Sequence, residues 1–179
     1  MKPTLPLDIV IVYENFTAAV RAQNVSQRLA AELDADFEIS REVWGFELLS
    51  HPQLRQEAAA AAAEADLVVV SVSGAAELPA HVRSWVESWV AEKRGGLSAL
   101  VALVDLRRAT RTGTPPLCTY LRQIADKAGM DFFCNAEGGR PESLGLANGL
   151  SKPRREIRPE TLDGATYDHA VWHASGIND

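Results

Sequence analysis

The sequence predicts an α/β protein, an open parallel sheet with helices on both faces in three layers. Three observations carry that prediction. Apolar runs of strand length alternate with segments whose apolar residues recur at helical spacing. Three of those runs, DIVIVY from Asp8 to Tyr13, LVVVSV from Leu67 to Val72 and the stretch Ala99 to Leu106, are almost wholly apolar, as strands covered on both faces must be. Finally, 179 residues suffice for one core without disulfide support, so one domain over residues 1–135 followed by a tail accounts for the chain.

The first strand, Asp8 to Tyr13, reads as central because it lacks a polar face. Val25, Leu29 and Leu33 then fall four apart on one helical face, with Asn15 or Thr17 available to cap the first amides. From Asp36 to Trp44 the apolar Phe37, Ile39 and Val43 alternate with Glu38, Ser40 and Glu42, the pattern of a half-exposed strand at a sheet edge. Ser50 with Gln53 has capping-box spacing, and Ala58 to Ala63 has the highest helix propensity available, which predicts the second helix.

After the strand Leu67 to Val72, a helix starts at Pro79, and Val82, Trp85, Val86, Trp89 and Val90 form its apolar stripe up to Gly95 and Gly96. Periodicity leaves open whether that stripe faces the sheet or a second copy in a homodimer. The fourth strand closes at Asp105, and an Arg- and Thr-rich loop leads to Pro115 and Pro116 at the next helix. Leu117, Tyr120, Leu121, Ile124 and Ala128 give that helix its buried face, and Gly129 ends it. A short strand, Met130 to Cys134, follows; residues 136–179 then read as an irregular tail packing on or near the domain.

Strands one, three and four are apolar throughout, whereas two alternates and five is short. The order 2-1-3-4-5 puts two and five at the edges, which is the flavodoxin-like arrangement, Rossmann-like in its crossovers. Ligands of such sheets bind beyond the carboxyl ends of the strands where the order reverses, here between strands one and three. The candidate ligand-binding residues are therefore Glu14, Asn15, Thr17, Ser73, Gly74 and Glu77, with Asp105 and Arg107 at the end of the neighbouring strand. Glu14 and Asp105 are the candidate catalytic residues, because converging carboxylates shift one another's proton affinity. With Glu77 they could also hold a divalent cation; helix capping or pairing with Arg107, Arg108 or Arg111 explains the same acids more simply.

Within this reading, the stretch ADLVVVSVSGAAELPAHVRSWVESW, residues 65–89, is similar to the corresponding segment of NADPH-dependent FMN reductases. Ala65, Asp66, Leu78, Pro79 and Trp85 stand in that pattern, and the resemblance covers this stretch only. It implies the same fold and, with FMN as the family's cofactor, an FMN-dependent NAD(P)H reductase. Those proteins cradle the FMN phosphate in a Ser-, Thr-, Arg- or Gly-rich loop after strand one. Here that loop is YENFTAA, residues 13–19, with an acid and no glycine. The phosphate loop is absent, and a carboxylate at the phosphate position disfavours FMN. Response-regulator receivers share the topology, but this chain offers no lysine beside Cys134, which excludes ordinary phosphoryl acceptance.

Other constellations are weaker. His81 lies on the helix after Ser71 and Ser73 with no orienting acid and no G-x-S-x-G turn, so a triad is not expected. His169 and His173, four apart beside Asp168, could share a helical face toward a metal, but they lack the catalytic Glu of a zincin, and no metal site is expected. Tyr167 and Trp172 read as anchors for the tail, and PRREIR as a solvated face. Cys118 and Cys134 have no C-x-x-C spacing and read as separate core residues. The net charge of −6 argues against nucleic acid or an anionic membrane as partner. The start, MKPTLPLDIVIVYEN, is neither a signal peptide nor a spanning helix, which predicts a cytoplasmic protein. The functional expectation is a ligand-binding or protein-interaction module without conventional flavin or phosphoacceptor. The alternative is a divergent FMN-dependent reductase or a small-molecule enzyme using Glu14 and Asp105.

Overall fold

The structure, a computed structural model, describes residues 4–33, 37–74, 77–105 and 114–137. The elements run β1 (Leu5–Tyr13), α1 (Phe16–Leu33), β2 (Phe37–Gly45), a short 3-10 turn (Leu48–Ser50), α2 (Pro52–Glu64), β3 (Leu67–Val72), α3 (Ala80–Val90), β4 (Ala99–Asp105), α4 (Pro116–Ala128) and β5 (Asp131–Glu137). All neighbouring strands are parallel, in the order β2-β1-β3-β4-β5. The expected topology is therefore the observed one. Strand β1 starts earlier than its apolar run and β5 extends to Glu137, because ladder pairing continues through residues whose side chains give no periodic signal. The expected tail, residues 136–179, overlaps the end of β5 and otherwise lies outside the described residues.

Two apolar clusters sandwich the sheet. On one face Ala22, Val25, Leu29 and Leu33 of α1 pack against Leu7, Ile9, Ile11, Val69, Val101 and Leu103. On the other, α2, α3 and α4 cover Val10, Val12, Val68, Val70, Leu100 and Ala102. Trp85 and Trp89 are fully buried in this second cluster, with ring centroids 5.8 Å apart. The stripe of α3 thus faces its own sheet and is not available to a second copy. The alanines of α2 serve packing as well as propensity: Ala58 and Ala62 are fully buried, and their small side chains let the helix approach its neighbours closely.

Several local expectations are corrected. Strand β2 does not alternate to its end: Val43 is 55% exposed, while Trp44 packs against the second cluster. Helix α1 lies mainly over β1 and β3, and of this strand only Phe37 and Ile39 pack against the cluster beneath that helix. The Ser50–Gln53 capping box does not form. Ser50 still belongs to the 3-10 turn and donates its hydroxyl to the Glu47 carbonyl at 2.6 Å, so α2 starts one residue later, behind His51, with Pro52 at its first position. Helix α3 ends at Val90, ahead of the two glycines, and beyond that end Lys93 donates to the Ala62 and Ala65 carbonyls at the end of α2. Gly129 does close α4, with φ of 67°.

The two cysteines are also corrected. They are joined in a disulfide, with Cα atoms 6.3 Å apart. Helix α4 runs back across β4 and β5 and sets Cys118, in its first turn, against Cys134 on the strand. Their sixteen-residue separation is one helix and half a strand, which no short cysteine motif would reveal.

Candidate functional site at the carboxyl edge of the sheet

Strands β1 and β3 are paired through Tyr13 and Ser71, so the residues that follow each emerge side by side. The Glu14 amide donates to the Ser71 carbonyl at 3.0 Å, extending the ladder by one step. The Glu14 carboxylate then turns across the gap and accepts the Ser73 amide at 2.7 Å. Asn15 uses one oxygen twice, accepting the Ala18 amide at 3.0 Å and the Ser73 hydroxyl at 3.2 Å. The first interaction caps α1, as its sequence predicts. The second ties that cap to the turn after β3, where Gly74 takes a φ of 71° that a side chain would strain.

Beneath this surface lies a buried layer. Ser71 donates its hydroxyl to the Ala18 carbonyl at 2.8 Å. Arg21, 8% exposed, donates to the Val72 carbonyl at 2.9 Å and meets the Asp105 carboxylate at 3.1 Å. One guanidinium thus connects α1 with the ends of β3 and β4. Arg21 belongs to no motif; what marks it in the sequence is a cation on the same helical face as Ala18, Ala22, Val25 and Leu29, where a charge has to find a partner.

The expected constellation is brought together only in part. Glu14, Asn15 and Ser73 form one network with Gly74 beside it, while Asp105 belongs to the separate buried layer, on Arg21, which holds the Val72 carbonyl next to Ser73. Thr17 and Glu77 are exposed and stand outside these hydrogen bonds. Arg107, Arg108 and Arg111 lie outside the described residues, as do the histidines and aromatics of the tail. Glu14, Glu77 and Asp105 do not converge. Among the described residues there is no group of three His, Cys, Asp or Glu that could hold a metal ion.

The rim of the edge is partly apolar. Phe16, the first residue of α1, is 83% exposed. The Tyr13 ring covers Gly45, where an added Cβ would lie 3.3 Å from the phenolic oxygen. Behind the turn, His81 of α3 is hydrogen-bonded through Nε2 to the Phe46 carbonyl at 2.9 Å, a structural use of the imidazole that fastens the end of β2 to α3. Displaced proton affinities occur elsewhere: burial lowers the Lys93 ammonium against the pull of Asp66 and Glu64. Burial likewise raises the Tyr120 phenol, aided by Glu87 and opposed by Arg83.

No helix among the described residues is long and apolar enough to cross a membrane. No family model and no curated protein matches the chain. Among solved structures it is similar to an oxidoreductase from Corynebacterium diphtheriae, at 12% identity and a TM-score of 0.54 over 82% of this chain and 92% of that one. Smu.1420 from Streptococcus mutans UA159 aligns at 10% identity and a TM-score of 0.43 over 80% and 94%. The first likeness places the chain on a fold that an oxidoreductase also uses, and at that identity it concerns the fold alone.

Proposed function

We propose that the chain is a binding module whose small-molecule ligand or protein partner docks at the carboxyl edge of the sheet, between the ends of β1 and β3, without a conventional flavin and without phosphoryl acceptance. The observation behind this reading is the Glu14 carboxylate on the Ser73 amide. An FMN phosphate in the usual mode needs amides and hydroxyls that are free to converge on it. Here the chain's own acceptors, Glu14 and Asn15, already take the Ser73 amide, the Ser73 hydroxyl and the Ala18 amide. The residues present do not fit the group. An exposed phenylalanine two residues from the Glu14 carboxylate instead favours an uncharged or cationic ligand.

The second reading is a divergent FMN-dependent NAD(P)H reductase, or another small-molecule enzyme using Glu14 and Asp105. It draws on the fold shared with the Corynebacterium oxidoreductase and on the local resemblance over residues 65–89. Titration of the purified protein with FMN separates the two. The binding-module reading expects no quenching of flavin fluorescence and no thermal stabilisation; saturable quenching with reduction by NADPH would replace it with the reductase.

A further inference from the structure

Cys118 and Cys134 occupy unequal environments. Cys118 is fully buried in the cluster beneath α2, α3 and α4, whereas Cys134 on β5 is only partly buried and packs against that cluster from the side. Among the described strands β5 is at the edge of the sheet, paired to β4 alone, and α4 is the helix that packs on it. The Cα separation of 6.3 Å lies within the range that a disulfide spans. Cys134 is paired in register with Ala102, three residues before the Asp105 that holds Arg21.

We propose that Cys118 and Cys134 are a reversible thiol–disulfide pair that clamps the first turn of α4 to the edge strand β5 when oxidised and releases it when reduced. The partly exposed sulfur is the point of entry. A low-molecular-weight thiolate attacks Cys134 Sγ, the Cys118–Cys134 bond breaks, and Cys118 departs as the thiolate and takes up a proton. A second external thiolate attacks the external sulfur of the mixed disulfide, leaving Cys134 as a thiol and releasing the external disulfide. Two electrons pass from two external thiols to the protein disulfide. Oxidation is the reverse: Cys134 attacks an external disulfide and Cys118 resolves the mixed disulfide, with release of the two external thiols. The buried Cys118 is thus the resolving residue, and Cys134 is the one that external thiols reach.

The test uses the full chain, equilibrated with either reduced or oxidised glutathione, with alkylation and intact mass to count thiols and hydrogen exchange to read mobility. With oxidised glutathione we expect no alkylatable thiol in denaturant, and with reduced glutathione two. Reduction should speed exchange about tenfold or more at the ladder amides of β5 and at the hydrogen-bonded amides of α4 from Thr119 onward, with β1 and β3 unchanged. A Cys118→Ser, Cys134→Ser double variant should exchange like the reduced protein in both buffers. In the Cys118→Ser single variant, oxidised glutathione should leave a stable mixed disulfide on Cys134. Two alkylatable thiols persisting in excess oxidised glutathione would overturn the proposal. So would a bond that forms while exchange at β5 and α4 stays unchanged, because the cross-link would then clamp nothing.

Discussion

Arg21 and Asp105 meet at 3.1 Å under the carboxyl edge of the sheet, with side chains 8% and 15% exposed. The same guanidinium holds the Val72 carbonyl, so the ends of β3 and β4 are set relative to α1 by one cation. A pair this buried contributes little net stability when intact, because taking both charges out of water offsets their attraction. Its weight appears when one partner is removed.

Arg21→Ala should therefore lower unfolding stability by about 3–5 kcal/mol in urea titration, since Asp105 and the Val72 carbonyl both lose the guanidinium. The double variant Arg21→Met, Asp105→Leu should lose much less than the two single variants together. Additive losses in that cycle would show that the ion pair is not the coupling element.

At the surface above, Glu14→Ala frees the Ser73 amide, which water can reach. We expect a loss of only about 0.5–1.5 kcal/mol. The same change should create a measurable affinity for anions: inorganic phosphate should raise the melting temperature of the variant and leave the wild type unaffected. Equal responses of the two proteins would mean that Glu14 does not occupy the anion position.

Lys93 and Tyr120 give opposite alkaline behaviour. Burial lowers the folded Lys93 pKa below 10.5, so the folded state binds fewer protons than the unfolded one in the window just below 10.5, and this group makes stability rise with pH there. Burial raises the folded Tyr120 pKa above 10, so the unfolded chain ionises first and this group makes stability fall as pH climbs past 10. Lys93→Met should flatten the rise and Tyr120→Phe the fall in denaturation curves measured from pH 8 to about 11.

Gly129 has a φ of 67° at the end of α4, with open space around an added Cβ, so backbone strain alone decides a substitution. Gly129→Ala should cost about 1 kcal/mol by thermal denaturation, and Gly129→Asn less.

The chain's local grammar already contains much of this. DIVIVY and LVVVSV have no polar face and can only be central strands; the alternation of β2 and the shortness of the last apolar run assign the edges. From that order alone follows the meeting of Glu14 and Asn15 with Ser73, because adjacent parallel strands deliver their following residues to one place. Periodicity reports which face of its own element a residue occupies, and the strand order then names the neighbouring elements.

Which side chain waits on the neighbouring element is a different matter, and there only the tertiary structure decided. The arginines that follow Asp105 in sequence lie outside the described residues, but within them Asp105 meets Arg21, on the first helix, with β2, α2, β3 and α3 between the two in the chain. Cys118 and Cys134 looked like unrelated core residues until the packing of α4 on β5 set them face to face. Val43 has the parity of Phe37 and Ile39, yet they pack against the first cluster and it is exposed. In each case the outcome depends on helix placement across the sheet, a long-range quantity fixed by core packing, to which spacing along the chain is blind.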